Sequence, residues 1–435
     1  MGFRLFSTQL RLNMLSGLLT TVANLVILLA AYPVYLYYLS LEFYGVWLIL
    51  ATILQVAMLG DLGVSQTVTK LVAEERAREN SAGIQQFVFI ALVMTGLGGS
   101  CIAAVVIIFA LPIIEVLGCS AQAEITACQF LPYVAIVSIY AVTTQVFHAA
   151  LSGVGRMDLA NYSQAMGRLV GAVVSVACLV SGLGIESMLY GIASAAVTGH
   201  VATVVLFRYQ TGFGTLGRHA PEWKQVKKVL RFGGGIVGGS LLNLFLNPFN
   251  KLLLFRFCGA SSVPIYEIAY NSANYVRSIV QVPLKAMMPE VSKISATQTK
   301  ENNEKLSRLC KKSGRLIFYV AFPCYVMALV FLKPSLAIWL GGELADHLSP
   351  VLFVMLIGSF ISLLSVPSYY TLMGMGKVRQ ILLASAIMVV TNVGVCLILV
   401  QFRISVSPLA LAWVVLLAFG VTSCYLIVQR QRLLR

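Results

Sequence analysis

The hydrophobic residues of the chain form long runs rather than short amphipathic segments. Twelve runs are long enough to cross a membrane, because a hydrocarbon core of about 30 Å needs roughly 20 helical residues. The runs lack the ten-residue alternation of outer-membrane strands, which favours helices over a barrel. The pattern predicts an all-α polytopic membrane protein with about 12 transmembrane helices, at residues 13–38, 43–60, 84–110, 130–150, 164–183, 187–207, 229–256, 264–289, 314–332, 348–373, 378–401 and 407–428.

The composition agrees with a membrane protein. Of the 435 residues, 59% are hydrophobic and 11% are charged, whereas about 25% of the residues of a soluble protein are charged. Soluble enzymes, secreted disulfide scaffolds and disordered regulators are therefore excluded.

The basic residues are distributed unevenly between the predicted loops. The formal net charge is +15, and 25 of the 31 Lys and Arg residues, Arg168 among them, lie in one set of alternate loops, at the adjoining ends of spans and at the termini, against three in the opposite loops. Cytoplasmic loops are enriched in Lys and Arg, so both termini are predicted to be cytoplasmic. Because this distribution accounts for the net charge, no nucleic-acid partner is predicted.

The two halves of the sequence share a weak repeat. A shift of about 221 residues brings Leu-Ser-Gly-Val-Gly-Arg at 151–156 onto Leu-Met-Gly-Met-Gly-Lys at 372–377. The fourth and tenth spans therefore end alike, in a Gly-x-Gly-basic turn. We expect two six-helix lobes, 1–222 and 223–435, related as parallel repeats around a central cavity.

Two successive predicted spans carry polar side chains on one helical face. Spacings of 3, 4, 7, 10 and 11 residues place each set on one stripe of a 3.6-residue helix. The seventh span contributes Ser240, Asn243, Asn247, Asn250 and Lys251, and the eighth contributes Tyr270, Asn274, Arg277 and Gln281, with Lys285 near its inner end.

These stripes are candidates for the lining of a transport cavity. A basic side chain deep in the membrane costs at least about 2.5–3.5 kcal/mol, and such residues usually face a bundle interior or a watery cavity. The alternative is a structural role, with Asn amides bonded between helices and Lys251 or Arg277 paired with Glu267. Deep cations favour an anionic ligand such as a phosphate or pyrophosphate. Glu267 and Asp61 are candidates for a coupling carboxylate.

Other chemistry has little support. The sequence contains no nucleotide-binding loop, nucleophile constellation or metal motif, so neither an enzyme nor a cofactor is predicted. Cys119 and Cys128 share an outward loop, where a disulfide or two free thiols are both compatible with the sequence. The basic stretch 291–312 is predicted to be an amphipathic cytoplasmic segment near anionic membrane lipids.

With these features assembled, the sequence resembles the polysaccharide flippases of the multidrug/oligosaccharidyl-lipid/polysaccharide exporter superfamily, and most of all the O-antigen and lipid-linked repeat-unit translocases. The resemblance extends over nearly the whole chain. It rests on Phe-Tyr-Gly-Val-Trp at 43–47, Leu-Gly-Asp-Leu-Gly-Val at 59–64, Leu-Ser-Gly-Val-Gly-Arg at 151–156 with Asn161, and the segment from Pro283 to Pro289.

The resemblance implies an alternating-access flippase of the bacterial cytoplasmic (inner) membrane. Its substrate would be an undecaprenyl-pyrophosphate-linked oligosaccharide, with a polysaccharide polymerase and other assembly proteins as candidate partners. Rival hypotheses are a cation-coupled multidrug exporter of the same superfamily and a non-transporting scaffold of a glycan-assembly complex. Lys251, Arg277 and Lys285 would bind the pyrophosphate, and the sugar would contact Asn243, Asn247, Asn250, Tyr270, Asn274 and Gln281.

Overall fold

The structure is a computed structural model that describes residues 8–57, 63–117, 121–212, 226–227, 229, 242, 246–284, 291, 294, 300–402 and 405–434. All regular secondary structure in these ranges is helical. The helices are α1 (Thr8–Ala57), α2 (Val64–Ala77), α3 (Ser81–Leu117), α4 (Ala121–Gly153), α5 (Met157–Val180), α6 (Glu186–Thr211), α7 (246–258), α8 (Ser262–Leu284), α9 (Lys300–Leu316), α10 (Phe322–Val330), α11 (Leu332–Leu340), α12 (Gly342–Gly374), α13 (Val378–Gln401) and α14 (Pro408–Leu434), with a π-helical segment, Ile317–Ala321, between α9 and α10.

The long helix α1 is interrupted at Ser40, whose φ of 58° lies outside the helical region. The rings of Tyr32 and Tyr44 have centroids 6.3 Å apart. Twelve residues of straight helix would separate them by about 18 Å along the axis, so the chain reverses direction at Ser40. The predicted division between the first two spans, at residues 39–42, is confirmed.

Nine stretches of the described residues are long and apolar enough to cross a membrane. The first, Leu15–Thr52, includes the reversal at Ser40 and therefore accounts for two predicted spans. The predicted seventh span lies largely outside the described ranges. Helix α8 covers most of the predicted eighth span, but it is more polar than the nine apolar stretches. The other stretches are Ser81–Val105, Gln129–Gly153, Met157–Val180, Glu186–Thr211, Glu304–Val330, Gly342–Gly374, Val378–Gln401 and Pro408–Leu434. The protein is an all-α multi-pass membrane protein, as the hydrophobic pattern predicted.

The chain divides into two compact units, Met1–Leu244 and Phe245–Arg435. In the first, α2, α3 and α4 pack around a core that includes Val68, Val88 and Leu151. In the second, α12 packs against α8 and α14 and is buried along most of its length. The predicted boundary at residue 222 lies outside the described residues and stays a prediction.

The repeated turn has the same backbone geometry in both units. Gly155 and Gly376 adopt φ angles of +83° and +70°. The amide of Arg156 donates to the Leu151 carbonyl at 3.1 Å, and that of Lys377 donates to the Leu372 carbonyl at 2.9 Å. Each helix therefore ends in a Schellman motif, in which glycine supplies the left-handed residue. The similarity noticed in the sequence reflects a shared way of ending a helix.

The basic segment is amphipathic where it is described. On α9, Leu306 and Cys310 are buried. Its exposed face carries two ion pairs with a spacing of four residues, Glu301–Lys305 at 2.7 Å and Glu304–Arg308 at 3.1 Å. Its contact with anionic lipid stays a prediction.

Candidate functional site

The centre of the polar stripe on α7 is an ion pair with α8. Lys251 Nζ lies 3.3 Å from Glu267 Oε2, and both side chains are buried. Asn247 Nδ2 donates to Glu267 Oε2 at 3.4 Å, and Asn271 Nδ2 donates to Glu267 Oε1 at 3.2 Å. Three polar side chains from two helices therefore converge on one carboxylate.

The fully buried amide of Asn250 extends this network. Its Nδ2 donates to the Tyr266 hydroxyl at 2.9 Å, and its Oδ1 lies 3.9 Å from Cys396 Sγ on α13. The Tyr266 ring is stacked on Tyr270, with centroids 5.8 Å apart. Asn250 thus joins three helices, which is the structural role that the sequence left open for the Asn residues.

Arg277 has a different environment. Its Nη1 donates to Ser362 Oγ at 3.0 Å on α12, and its Cζ lies 5.6 Å from the centroid of the Phe419 ring on α14. Such a distance permits a cation–π interaction. Among the described residues, no carboxylate forms an ion pair with Arg277, and its buried Nε has no hydrogen-bond acceptor. The guanidinium is held in place, and no described carboxylate neutralises its charge.

The remaining predicted ligands of α8 lie on either side of Arg277. Asn274 Nδ2 donates to the Tyr270 carbonyl one turn earlier, at 2.9 Å. Gln281 Nε2 lies 3.5 Å from the Tyr370 hydroxyl, at the limit of a hydrogen bond. Both side chains are partly exposed. Both amides therefore lie beside a cation that no described carboxylate neutralises.

Several predicted residues lie outside the described residues, namely Asp61, Cys119, Ser240, Asn243 and Lys285. The Cys128 side chain is likewise not described. The structure brings Asn247 and Lys251 together with Glu267, whereas Arg277 contacts Ser362 and Phe419. Ligand roles for all of the predicted site residues stay predictions.

The first unit contains a polar network where α1 meets the turn after α4. Asn13 Oδ1 accepts from the Asp158 backbone amide at 3.1 Å, and Asn13 Nδ2 donates to the Gly155 carbonyl at 3.2 Å. Gln9 Nε2 donates to Asp158 Oδ1 at 3.0 Å. Arg156 forms two 3.0 Å hydrogen bonds with the same carboxylate, which raise the pKa of Arg156. The network fixes the start of α1 to the start of α5.

Arg168 lies in the predicted fifth span, 164–183, near the basic loop with which the charge distribution groups it. In the structure α5 begins at Met157, so Arg168 lies about 16 Å along the helix at 1.5 Å per residue. Among the residues that the structure describes, Arg168 forms no ion pair. The sequence predicts the start of the membrane helix closer to Arg168, because the apolar run begins only at residue 164. The spacing of Asn161, Gln164 and Arg168, which share one helical face, was the available signal.

The comparisons with known structures show the fold. An inward-facing multidrug resistance transporter of the MATE family, in the MOP superfamily, matches with a TM-score of 0.74 and 14% identity, over 100% of this chain and 96% of its own. An outward-facing transporter of that family has a TM-score of 0.64 and 16% identity, over 98% and 95%. A MOP-superfamily transporter from Pyrococcus furiosus, described as having a binding pocket of reversed polarity, has a TM-score of 0.59 and 15% identity, over 97% and 95%. The fold, with its two lobes, is therefore that of MOP-superfamily transporters.

The family follows from the sequence. Residues 11–295 match the model of the polysaccharide biosynthesis protein family. No curated protein matches the chain significantly. The chain belongs to the polysaccharide biosynthesis protein family within the MOP superfamily, as the resemblance of its motifs indicated.

Proposed function

We propose that the protein is a flippase for undecaprenyl-pyrophosphate-linked oligosaccharide, an O-antigen unit or a similar polysaccharide repeat unit. It would move this lipid from the inner to the outer leaflet of the bacterial cytoplasmic membrane by alternating access. The observation that carries the proposal is Arg277, a cation on a membrane helix whose charge is not neutralised by any described carboxylate. Membership of the polysaccharide biosynthesis family supports the glycan part of the proposal.

Arg277 favours a phosphate-bearing substrate on physical grounds. The free energy of placing an arginine in the membrane is unfavourable unless an anion or water compensates it. A guanidinium binds two phosphate oxygens at once, and Ser362 and Phe419 already orient this one. A pyrophosphate would supply the missing counter-charge, so Arg277 is its first candidate ligand.

Lys251 would contribute only after a rearrangement. In this conformation its ammonium is paired with Glu267. A second anion would have to compete with a carboxylate that also accepts hydrogen bonds from Asn247 and Asn271. We therefore assign Lys251 and Glu267 first to holding α7 against α8.

The same pairing argues against Glu267 as the cation-coupling carboxylate of a multidrug exporter. A carboxylate that binds an organic cation or a proton reversibly must be available to it, whereas Glu267 is buried and already compensated by Lys251. We accordingly propose that the transported substrate is a lipid-linked anion. Both termini would lie in the cytoplasm, as the distribution of basic loops predicts.

Deletion in the native host tests the proposal. Polyprenyl-linked glycans are extracted and sized, and their access to periplasmic enzymes is measured. We expect repeat units to accumulate, protected from those enzymes, while surface polysaccharide is lost. Unchanged glycans with new sensitivity to cationic dyes would instead identify a drug exporter. A scaffold would be indicated if Arg277 variants restored polysaccharide fully and variants in 291–312 did not.

A further inference from the structure

The first unit contains a polar cavity of about 220 Å³ between α2, α4 and α5. All of its polar lining groups are uncharged amides and hydroxyls, apart from one imidazole. They include Thr69 from α2, Gln145, His148 and Ser152 from α4, and Asn161 and Gln164 from α5. On α4 the spacing of three and seven residues places the polar groups on one helical face, and the spacing of Asn161 and Gln164 does the same on α5.

Part of this lining has hydrogen-bonding capacity that the protein does not use. Thr69 Oγ1 donates to the Ala149 carbonyl at 3.1 Å, and Asn161 Nδ2 donates to Ser16 Oγ at 3.0 Å. By contrast, the side chains of Gln145, Ser152 and Gln164 have no partner among the described residues, and all three are partly exposed at the cavity. Two primary amides and a hydroxyl are thus available to a ligand from two helices.

The fold itself does not need this polarity. At the repeat shift of 221 residues, Gln145 corresponds to Val366, Ser152 to Met373 and Asn161 to Leu382, whereas Gln164 corresponds to Ser385. The second unit therefore builds the corresponding helix pair, ended by the same turn, with apolar side chains at three of these four positions. Polar side chains in membrane helices have an unfavourable free energy and usually mark functional sites. Their presence in the first unit therefore points to a ligand.

The chemistry of the lining selects the class of ligand. None of the lining residues is Lys, Arg, Asp or Glu, so an organic cation would lack a counter-charge there. The nearest described cation on this face of α5 is Arg168, one turn beyond Gln164 and outside the lining. Amide and hydroxyl groups are matched by ligand hydroxyls, which both donate and accept hydrogen bonds. The volume is smaller than the roughly 300–1,000 Å³ of sites for drug-sized molecules. A single neutral sugar ring fits both the chemistry and the size.

We infer that this cavity is a saccharide subsite, which binds one sugar ring of the lipid-linked oligosaccharide through Gln145, Ser152 and Gln164. The inference rests on the proposed function and assigns part of the substrate to the first unit. It gives sugar recognition and pyrophosphate recognition to different residues, so that the two can be separated by mutation.

The test measures binding of two probes to the full-length protein in lipid nanodiscs. One probe is undecaprenyl pyrophosphate, and the other is the undecaprenyl-pyrophosphate-linked repeat unit extracted from the native host. In Gln145→Leu/Gln164→Leu we expect the Kd of the sugar-bearing probe to rise at least about tenfold, because each lost hydrogen bond contributes severalfold to binding. The Kd of the sugar-free probe should not change.

Two further variants control for folding and for the change in polarity. Ser152→Phe keeps both glutamines but fills the cavity. It should weaken binding of the sugar-bearing probe, and it provides a test even if the double variant fails to fold. Gln129→Leu makes the same chemical change on α4 at an exposed position about 24 Å from Gln145. It should affect neither probe.

The outcomes separate the two hypotheses. Equal weakening of both probes, or unchanged binding of the sugar-bearing probe in both cavity variants, would overturn the saccharide subsite alone. A wild-type protein that binds neither probe would overturn the proposed function and the subsite with it. Selective loss of the sugar-bearing probe would support both.

Discussion

Lys251 and Glu267 form an ion pair between α7 and α8 with an Nζ–Oε2 distance of 3.3 Å, and the Lys251 side chain has no exposed surface. Each charge lowers the free-energy cost of burying the other in an apolar environment. The removal of one partner is far more costly than the removal of both, because a single charge is left buried without compensation. This relationship makes the structural role of the pair measurable.

Lys251→Met and Glu267→Gln should each destabilise the protein by about 3–5 kcal/mol. The double variant should recover most of this loss, since no buried charge remains. Thermal unfolding in detergent measures the four proteins of the cycle. Lys333 and Asp346 provide the control, because their 2.7 Å pair is largely exposed, so solvent screens it and its removal should change the stability little. A double Lys251/Glu267 variant as unstable as the single variants would show that the two charges are not coupled.

Arg277→Met should reduce surface polysaccharide at least about tenfold, because a lost charge-assisted contact is worth about 1.5–3 kcal/mol. Membrane levels should stay normal, since the guanidinium neutralises no described carboxylate. Arg277→Lys should restore part of the activity through charge alone, without two-point binding. Arg256→Met, the same change at an exposed position of the same unit, should have no effect. Full polysaccharide in the Arg277→Met strain would remove this residue from the site.

Asn13→Leu should destabilise the first unit by about 1–3 kcal/mol, because it leaves the Asp158 amide and the Gly155 carbonyl without their partner. The measurement is the shift of Tm in detergent. Ser181→Ala is the control, since the Ser181 hydroxyl bonds only within its own helix, at an exposed position. An unchanged Tm in Asn13→Leu would mean that the start of α1 is not held by this residue.

Gly153 and Gly155 should respond differently to substitution, although they are two residues apart. A Cβ at Gly153 would lie 2.8 Å from the Thr69 carbonyl oxygen, whereas a Cβ at Gly155 has no neighbour within 4 Å but a φ of +83°. Gly155→Ala should lower the free energy of unfolding by about 1–2 kcal/mol, because alanine is strained at a positive φ. Gly155→Asn should lower it less, because Asn tolerates the left-handed region. Gly153→Ala should lower the free energy of unfolding by about 1–3 kcal/mol, because the added methyl group overpacks the helix contact. Gly153→Asn should lower it further, because its side chain is larger. Unfolding of the four variants distinguishes steric from conformational control.

The sequence by itself determined the class of fold, because a run of about 20 apolar residues has few stable alternatives to a membrane helix. It also determined the repeated turn, since Gly155 and Gly376 mark left-handed helix ends by residue type alone. The polar stripes on α7 and α8 followed from helical periodicity in the same way. These features depend on local geometry, which the order of residues fixes.

Only the tertiary structure decided how the charges are used. Lys251 and Arg277 look alike in sequence, yet one is paired with Glu267 and the other contacts Ser362 and Phe419, which are 85 and 142 positions away. The hydropathy pattern starts the fifth span at residue 164 and places Arg168 near its end, whereas the helix that contains Arg168 begins at Met157. The polar cavity likewise requires three helices that meet only in the folded unit. Ion pairing and cavity formation depend on distances between separate segments, and a pattern along one segment carries no information about those distances.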